Sequence, residues 1–185
     1  LDKQILEKLK QLQKEVREHY DNYNFHLITS KLLNFCVNDL GGMYLDIVKD
    51  RLYTMKDNSI GRRSAQFTIN KVLATLVKNI SSIMPFTAYE FYEEMFPGNG
   101  EKIFYEEYEE INSYLEEKDI ELFTYLEGLR TRVYQAIEVE RQKGTIRNAL
   151  DAEIEITLDK QNYTAVHILS DEINKFFIAS KCTLK

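Results

Sequence analysis

Apolar residues recur at helical spacing along most of this chain. The first series, at steps of four, three and four, is Ile5, Leu9, Leu12 and Val16, with Lys and Glu between them. Such a series forms one apolar stripe along a helix, and turn-prone residues at 20–24 end it. Equivalent series predict helices at 25–40, 43–53, 62–84 and 118–143, with a shorter aromatic and acidic helix that starts at Pro85.

The hydrophobic period changes near the C-terminus. Gly144 ends the long helix, and the segment 152–158 then alternates acid and isoleucine at 153–156, which is the spacing of a half-buried strand. A short helix near 163–173 and a second strand at 176–179 follow. We therefore expect a mainly α protein, with an antiparallel helix bundle over residues 1–144 and a small αβ subdomain over residues 145–185.

Two segments depart from regular patterning. Gly41 and Gly42 lie inside the second helical series, where each glycine costs about 1 kcal/mol relative to Ala, so we expect another helix to approach closely there. Residues 101–118 are rich in acidic residues and predict a surface excursion, in which the acidic run at 106–110 forms a solvated face.

Composition and motifs exclude several classes of function. The chain is 44% hydrophobic with two prolines, which suits a helical globular core, and Cys36 and Cys182 are too far apart to indicate a disulfide framework or a zinc site. No apolar run approaches the roughly 18 residues of a membrane span, and no apolar signal segment opens the chain. We expect a cytoplasmic monomer that does not contact membranes.

Neither a catalytic site nor a metal site is indicated. His19, His26 and His167 lie outside any recognisable nucleophile motif, and no glycine-rich loop has the spacing that cradles phosphate. The acidic runs lack the ligand spacing of a cation-binding loop. Binding is therefore the class of function that remains.

Charge is strongly segregated along the sequence. The net charge of -6 argues weakly against a nucleic-acid partner. Residues 58–89, however, contain no Asp or Glu, whereas residues 90–121 carry twelve acids against two lysines. We expect two surfaces of opposite character. The cations of the basic segment are Arg62, Arg63, Lys71 and Lys78.

Arg62 and Arg63 are the first candidates for binding an anion. They lie at the start of the third long helix, where backbone N–H groups and the helix dipole also favour a phosphate. The alternative is that both arginines pair with nearby acids. A second basic set, for which a solvated helix face is the alternative, consists of Arg130, Arg132, Arg141, Lys143 and Arg147.

Aromatic residues interleave with these cations. Unstacked RNA bases commonly stack on such rings, although most aromatics at helical spacing pack in a core. Both interpretations stay open for each ring. The aromatics concerned are Tyr44, Tyr53, Phe67 and Tyr134.

Several stretches together resemble a known family. The most specific is NFCVNDLGGMYLDIVKDRLY at 34–53, which is similar to the run N-F-x-x-x-D-L-[S/G]-x-x-Y-L-D-x-x-K-D-R-L-Y of the anticodon-binding domain of isoleucyl-tRNA synthetases. The segments YNFH at 23–26, RRSAQ at 62–66 and IMPFTAYE at 83–90 also fit, as does the helix-to-strand segment 130–156. The resemblance covers nearly the whole chain.

This resemblance implies an RNA-binding module of a larger enzyme. It implies binding of the anticodon stem-loop of isoleucine tRNA, tRNA(Ile), which would place the acceptor end in a catalytic domain of the same polypeptide. The H-I-G-H and K-M-S-K-S adenylation signatures are absent from these 185 residues. No catalytic residue, metal or cofactor is therefore expected here. The parent would be an ATP-dependent isoleucine-tRNA ligase that uses Mg, with zinc in many bacterial relatives.

The RNA contacts expected on this basis come from both basic sets. Arg62, Arg63 and Gln66 fall in a matched motif, although a contact role for them is inferred from charge. Arg51 is expected to form a structural pair with Asp50 instead. The competing hypothesis is an acidic helical scaffold that binds proteins through residues 90–121. The complete set of expected RNA contacts is Arg62, Arg63, Gln66, Lys71, Arg141 and Arg147.

Overall fold

The computed structural model describes residues 1–167, 169 and 173–185, with the side chains of 149 and 161 excepted. The chain forms two compact units, residues 1–114 and 115–185. The first unit consists of α1 (Asp2–Asp21), α2 (Phe25–Asn34), a π-helical segment (Phe35–Leu45), α3 (Asp46–Tyr53), α4 (Ile60–Ile80), α5 (Pro85–Met95) and a 3-10 turn (Gly100–Tyr105). The second consists of α6 (Glu117–Gln142), a 3-10 turn (Ala149–Asp151), β1 (Glu153–Ile156), α7 (Lys160–His167), α8 (Ile173–Phe177) and β2 (Lys181–Leu184).

The predicted apolar stripe of α1 lies at the centre of the first unit. Ile5, Leu9 and Val16 are fully buried, and burying one such side chain stabilises a fold by about 1.5–3 kcal/mol. They pack against residues from α2, the π-helical segment, α3 and α4. The mainly α bundle followed by a small αβ unit is thus confirmed.

Local sequence signals set where two of these helices begin. The Ser59 hydroxyl accepts the Arg62 backbone N–H at 3.3 Å, which satisfies one of the free donors at the start of α4. Pro85 opens α5, where its missing N–H has no helical partner to lose.

The glycine pair lies in the wide turn of a continuous helical stretch. A Cβ added at Gly41 would lie 3.1 Å from the Cys36 carbonyl oxygen, and one at Gly42 would lie 3.1 Å from the Val37 carbonyl oxygen. Both oxygens are five residues earlier in the same helix, at the position that accepts a π-helical hydrogen bond. The expected close approach of another helix is therefore wrong, because the crowding comes from the helix itself.

The acidic segment after α5 is only partly a surface excursion. Most of its side chains are exposed, as predicted, but Ile103 and Ile111 are buried. Ile103 packs in a cluster with Val77, Ala88 and Tyr92, whereas Ile111 joins the main core. The two isoleucines hold the segment against the bundle.

The second unit has a parallel pair of strands. Gly144, with φ of 77°, follows α6, and β1 pairs with β2 from Glu153 opposite Lys181 onward. The strand predicted at 176–179 is wrong, because Phe176 and Phe177 belong to α8 and both are buried. Adjacent residues of a strand point to opposite faces. Of the helix predicted at 163–173, residues 168 and 170–172 lie outside the described residues.

Helix α6 belongs to the second compact unit, because the two units divide between residues 114 and 115. The domain boundary predicted from the sequence, between residues 144 and 145, stays a prediction. Arg130 of α6 is buried in this unit, not solvated. Its guanidinium donates to the Phe176 carbonyl and lies 4.7 Å from the ring centre of Tyr134. These contacts attach α6 to the residues that lead into β2.

Candidate nucleic-acid interface

Helix α4 carries four of the six expected RNA contacts, and it exposes one continuous face. Ile60 is 88% exposed and Phe67 is 61% exposed, while the opposite face is buried through Ala65, Thr68 and Val72. The exposed residues recur at helical steps. We define the outer strip of α4 as Ile60, Arg63, Gln66, Phe67 and Asn70, all of which are exposed.

The structure brings Arg63 and Gln66 together on this strip. The Arg63 guanidinium donates to Gln66 Oε1 at 3.3 Å. A guanidinium has five N–H donors, so this bond leaves others for a phosphate. The exposed ring of Phe67 follows Gln66 directly and offers a face on which a base can stack. The strip therefore combines a cation, an amide and an aromatic ring.

Arg62 lies next to Arg63 in sequence but has a different environment. Its side chain is 26% exposed and lies 2.8 Å from an Asp57 carboxylate oxygen. It also donates to the Met55 carbonyl at 3.0 Å. Pairing with a nearby acid is thus what the structure shows for Arg62, and its contact with RNA stays a prediction.

Lys71 and Lys78 both contact carboxylates of the acidic segment. Lys71 Nζ donates to Glu109, and Lys78 Nζ lies 3.1 Å from a Glu106 carboxylate oxygen. Lys78 also donates to the Glu107 carbonyl at 3.1 Å. The basic segment of the sequence therefore has an open end near Arg63 and a neutralised end near Lys78.

The candidate aromatics of the first unit have different environments. Tyr44 is fully buried, so its suggested role in stacking is wrong, and burial raises the pKa of its phenol. Its hydroxyl donates to Asp2 at 2.9 Å. Arg51 also pairs with Asp2, at 3.2 Å, while its expected pair with Asp50 stays a prediction. Tyr53, by contrast, is 81% exposed.

The second unit holds the remaining candidates. Arg141 is exposed and lies 3.2 Å from a Glu138 carboxylate oxygen. Arg147 is also exposed, and its backbone N–H donates to Asp151 at 3.1 Å. The Tyr134 hydroxyl donates to the Phe177 carbonyl at 3.2 Å. Arg141 and Arg147 thus form the candidate set of the second unit.

Sequence reasoning did not single out two residues of the strip. Ile60 and Asn70 precede and follow Arg63 by three and seven residues, and both are exposed. A helical projection from Arg63 would have found them. Within the described residues, no group of three or more His, Cys, Asp or Glu side chains could hold a metal ion. No helix among those residues is long and apolar enough to cross a bilayer.

The chain is similar to known tRNA ligases. Residues 2–156 match the family described as the anticodon-binding domain of tRNA ligase. The chain is 39% identical over 185 residues to the isoleucine–tRNA ligase of Shewanella piezotolerans, covering 98% of this chain and 20% of that protein. It is 35% identical over 181 residues to the ligase of the same name from Legionella pneumophila (strain Lens), covering 98% of this chain and 19% of that protein.

A third relative matches the chain with similar identity and coverage. The isoleucine–tRNA ligase of Buchnera aphidicola subsp. Baizongia pistaciae is 36% identical over 190 residues, covering 100% of this chain and 20% of that protein. The chain thus spans about a fifth of the length of these relatives. The family match covers most of the 185 residues. The chain therefore belongs to the anticodon-binding domain family of tRNA ligases.

Proposed function

We propose that this chain binds the anticodon stem-loop of isoleucine tRNA, as the recognition module of a cytoplasmic, monomeric isoleucine-tRNA ligase. The observation that carries the proposal is the outer strip of α4, where a cation, an amide and an aromatic ring are exposed side by side. Support comes from membership of the anticodon-binding family. The relatives that match across this chain are named as isoleucine–tRNA ligases.

Each side chain of the strip has a distinct task in this proposal. Arg63 contacts a phosphate and fixes the register of the RNA, since phosphate contacts position a protein without reading sequence. Phe67 stacks on a base of the open loop, and Tyr53 is a second exposed ring for the same purpose. Gln66 has donor and acceptor groups for a base edge.

We assign the other expected RNA contacts a smaller part in binding than the outer strip of α4. Arg141 and Arg147 are exposed and form a second candidate contact in residues 115–185. Arg62 and Lys71 already have acidic partners inside the first unit, so each would give up an ion pair to bind phosphate. We therefore assign the main contact to Arg63, Gln66 and Phe67.

Aminoacylation itself is assigned to the rest of the polypeptide. An ATP-dependent reaction with Mg would take place in a catalytic domain beyond these 185 residues, and binding here would place the acceptor end of the tRNA in that domain. This division of labour needs no catalytic group in the present chain. It requires only that the anticodon contact be specific enough to select the tRNA.

A titration at two salt concentrations tests the proposal. The chain is mixed with a labelled anticodon stem-loop of isoleucine tRNA, or with the acceptor-stem minihelix of the same tRNA, at about 50 and about 200 mM salt. We expect saturable binding of the stem-loop that weakens as salt increases. The logarithm of the affinity should fall with the logarithm of the salt concentration with a slope of about 0.7–0.9 per phosphate contact. Binding of the minihelix should be weaker at both concentrations.

The acidic scaffold remains the second candidate function, because α5 exposes apolar rings among its acids. Phe86 is 85% exposed and Phe91 is half-exposed, next to exposed Glu90 and close to exposed Glu94. A scaffold predicts no saturable binding of either RNA. The same titration therefore separates the two functions.

A further inference from the structure

The acidic segment that follows α5 lies along the basic end of α4. We define the acidic strap as residues 106–111. Glu109 accepts a hydrogen bond from Lys71, and Glu106 lies 3.1 Å from Lys78 Nζ. A Glu109 oxygen lies 3.7 Å from the same Lys78 nitrogen. Two lysines of the basic segment thus face two carboxylates and, through the Glu107 carbonyl, one backbone oxygen.

Buried and half-buried residues hold the acidic strap in place. Ile111 at its end is 6% exposed and belongs to the main core. The Tyr92 hydroxyl donates to Glu106 at 3.0 Å, and the Arg17 guanidinium lies 5.5 Å from the ring centre of Tyr108. These contacts come from α1 and α5. The strap is therefore attached to the fold by more than its ion pairs.

The two carboxylates of the strap that face the lysines are stabilised in their charged form. Hydrogen bonds from Lys78 and Tyr92 lower the pKa of Glu106, and the hydrogen bond from Lys71 lowers the pKa of Glu109. The Lys78 side chain is only 12% exposed. A phosphate that approached this end of α4 would meet lysines that are already paired, and also the exposed acids Glu107 and Glu110.

We infer that the acidic strap determines specificity: it withholds Lys71 and Lys78 from RNA and repels phosphate, so that a polyanion is confined to the Arg63 end of α4. Like charges at an interface suppress wrong partners and so contribute to specificity. A module that selects one tRNA gains from such a surface, because uncompensated lysines bind every phosphate chain. The role of the strap in selecting a tRNA rests on the proposed function. Its electrostatic effect on Lys71 and Lys78 does not.

The test compares two variants with the same change in net charge. Glu106→Gln with Glu109→Gln removes the carboxylates that face the lysines, while keeping an acceptor for Tyr92. Glu90→Gln with Glu94→Gln removes two exposed acids of α5 and serves as the matched control. The probes are poly(U) RNA and the anticodon stem-loop, each titrated at about 50 and about 200 mM salt. Circular dichroism checks that each variant is folded.

We expect the strap variant to gain poly(U) affinity and to lose its preference for the stem-loop. Two freed lysines should increase the slope of log affinity for poly(U) against log salt concentration by about 1.4, so the gain in affinity shrinks roughly sevenfold between the two salt concentrations. The α5 variant should show a much smaller gain. Adding Lys71→Met and Lys78→Met to the strap variant should abolish the gain.

Equal gains in the strap and α5 variants would overturn the inference, because net charge alone would then explain them. A gain that survives the two Lys→Met changes would overturn it as well. If the wild-type chain does not prefer the stem-loop, that result counts against the proposed function alone, and the poly(U) titrations still test the inference about the strap. Failure of the inference is therefore distinguishable from failure of the proposed function.

Discussion

Arg63→Glu combined with Phe67→Ala is expected to weaken binding of the anticodon stem-loop by about a hundredfold at low salt. Loss of a base-stacking ring costs about 1–3 kcal/mol, and the reversed charge replaces attraction of a phosphate by repulsion. Both side chains are exposed and neither belongs to a core cluster. The fold should therefore be unaffected. Fluorescence anisotropy of a labelled stem-loop measures the effect.

Lys14→Glu combined with Tyr105→Ala is the matched control for this variant. It makes the same change in charge and also removes one exposed ring, because Lys14 and Tyr105 are both exposed in the first unit. We expect less than about a threefold loss of affinity, from long-range electrostatics alone. Equal losses in the two variants would mean that the outer strip is not the contact.

Asp2→Ala is expected to destabilise the first unit by about 2–4 kcal/mol. The Asp2 carboxylate accepts hydrogen bonds from Tyr44 at 2.9 Å and Arg51 at 3.2 Å, and also from the Ser64 hydroxyl. It thereby joins α1 to the π-helical segment, α3 and α4. Removing it leaves a buried phenol and a largely buried guanidinium without this acceptor. The partial exposure of the Arg51 pair keeps the expected loss below that of a fully buried ion pair.

Urea denaturation followed by circular dichroism measures this loss. Asp50→Ala provides the control, since Asp50 is an exposed aspartate of α3. A surface substitution of this kind changes the free energy of unfolding by less than about 0.5 kcal/mol. Similar transition midpoints for the two variants would show that the Asp2 hydrogen bonds contribute little.

The long helices were predictable because their apolar series are regular. The stripe through Ile5, Leu9 and Val16 is the buried face of α1, and Gly144 follows α6 with a positive φ as its sequence position suggested. The π-helical segment was not predictable, since a shift from four-residue to five-residue hydrogen bonding leaves little trace in the apolar spacing. Its glycine pair indicated crowding but not the source of it.

The candidate site was predictable as a region but not residue by residue. Arg62 and Arg63 are adjacent and chemically identical, yet about 100° of helical rotation directs Arg62 towards Asp57 and leaves Arg63 exposed. Charge segregation along the sequence suggested two opposite surfaces. The fold instead brings part of the acidic segment onto Lys71, across 38 residues of chain.

Photo-crosslinking shows where the RNA lies on the protein. Phe67 is replaced by a photo-reactive benzophenone analogue in one variant, and Phe86 of α5, which is more exposed than Phe67, is replaced in another. Irradiation with the anticodon stem-loop of isoleucine tRNA should crosslink loop nucleotides to position 67 and leave position 86 unlabelled. Crosslinks at position 86 without any at position 67 would contradict the assignment of the RNA to the outer strip of α4.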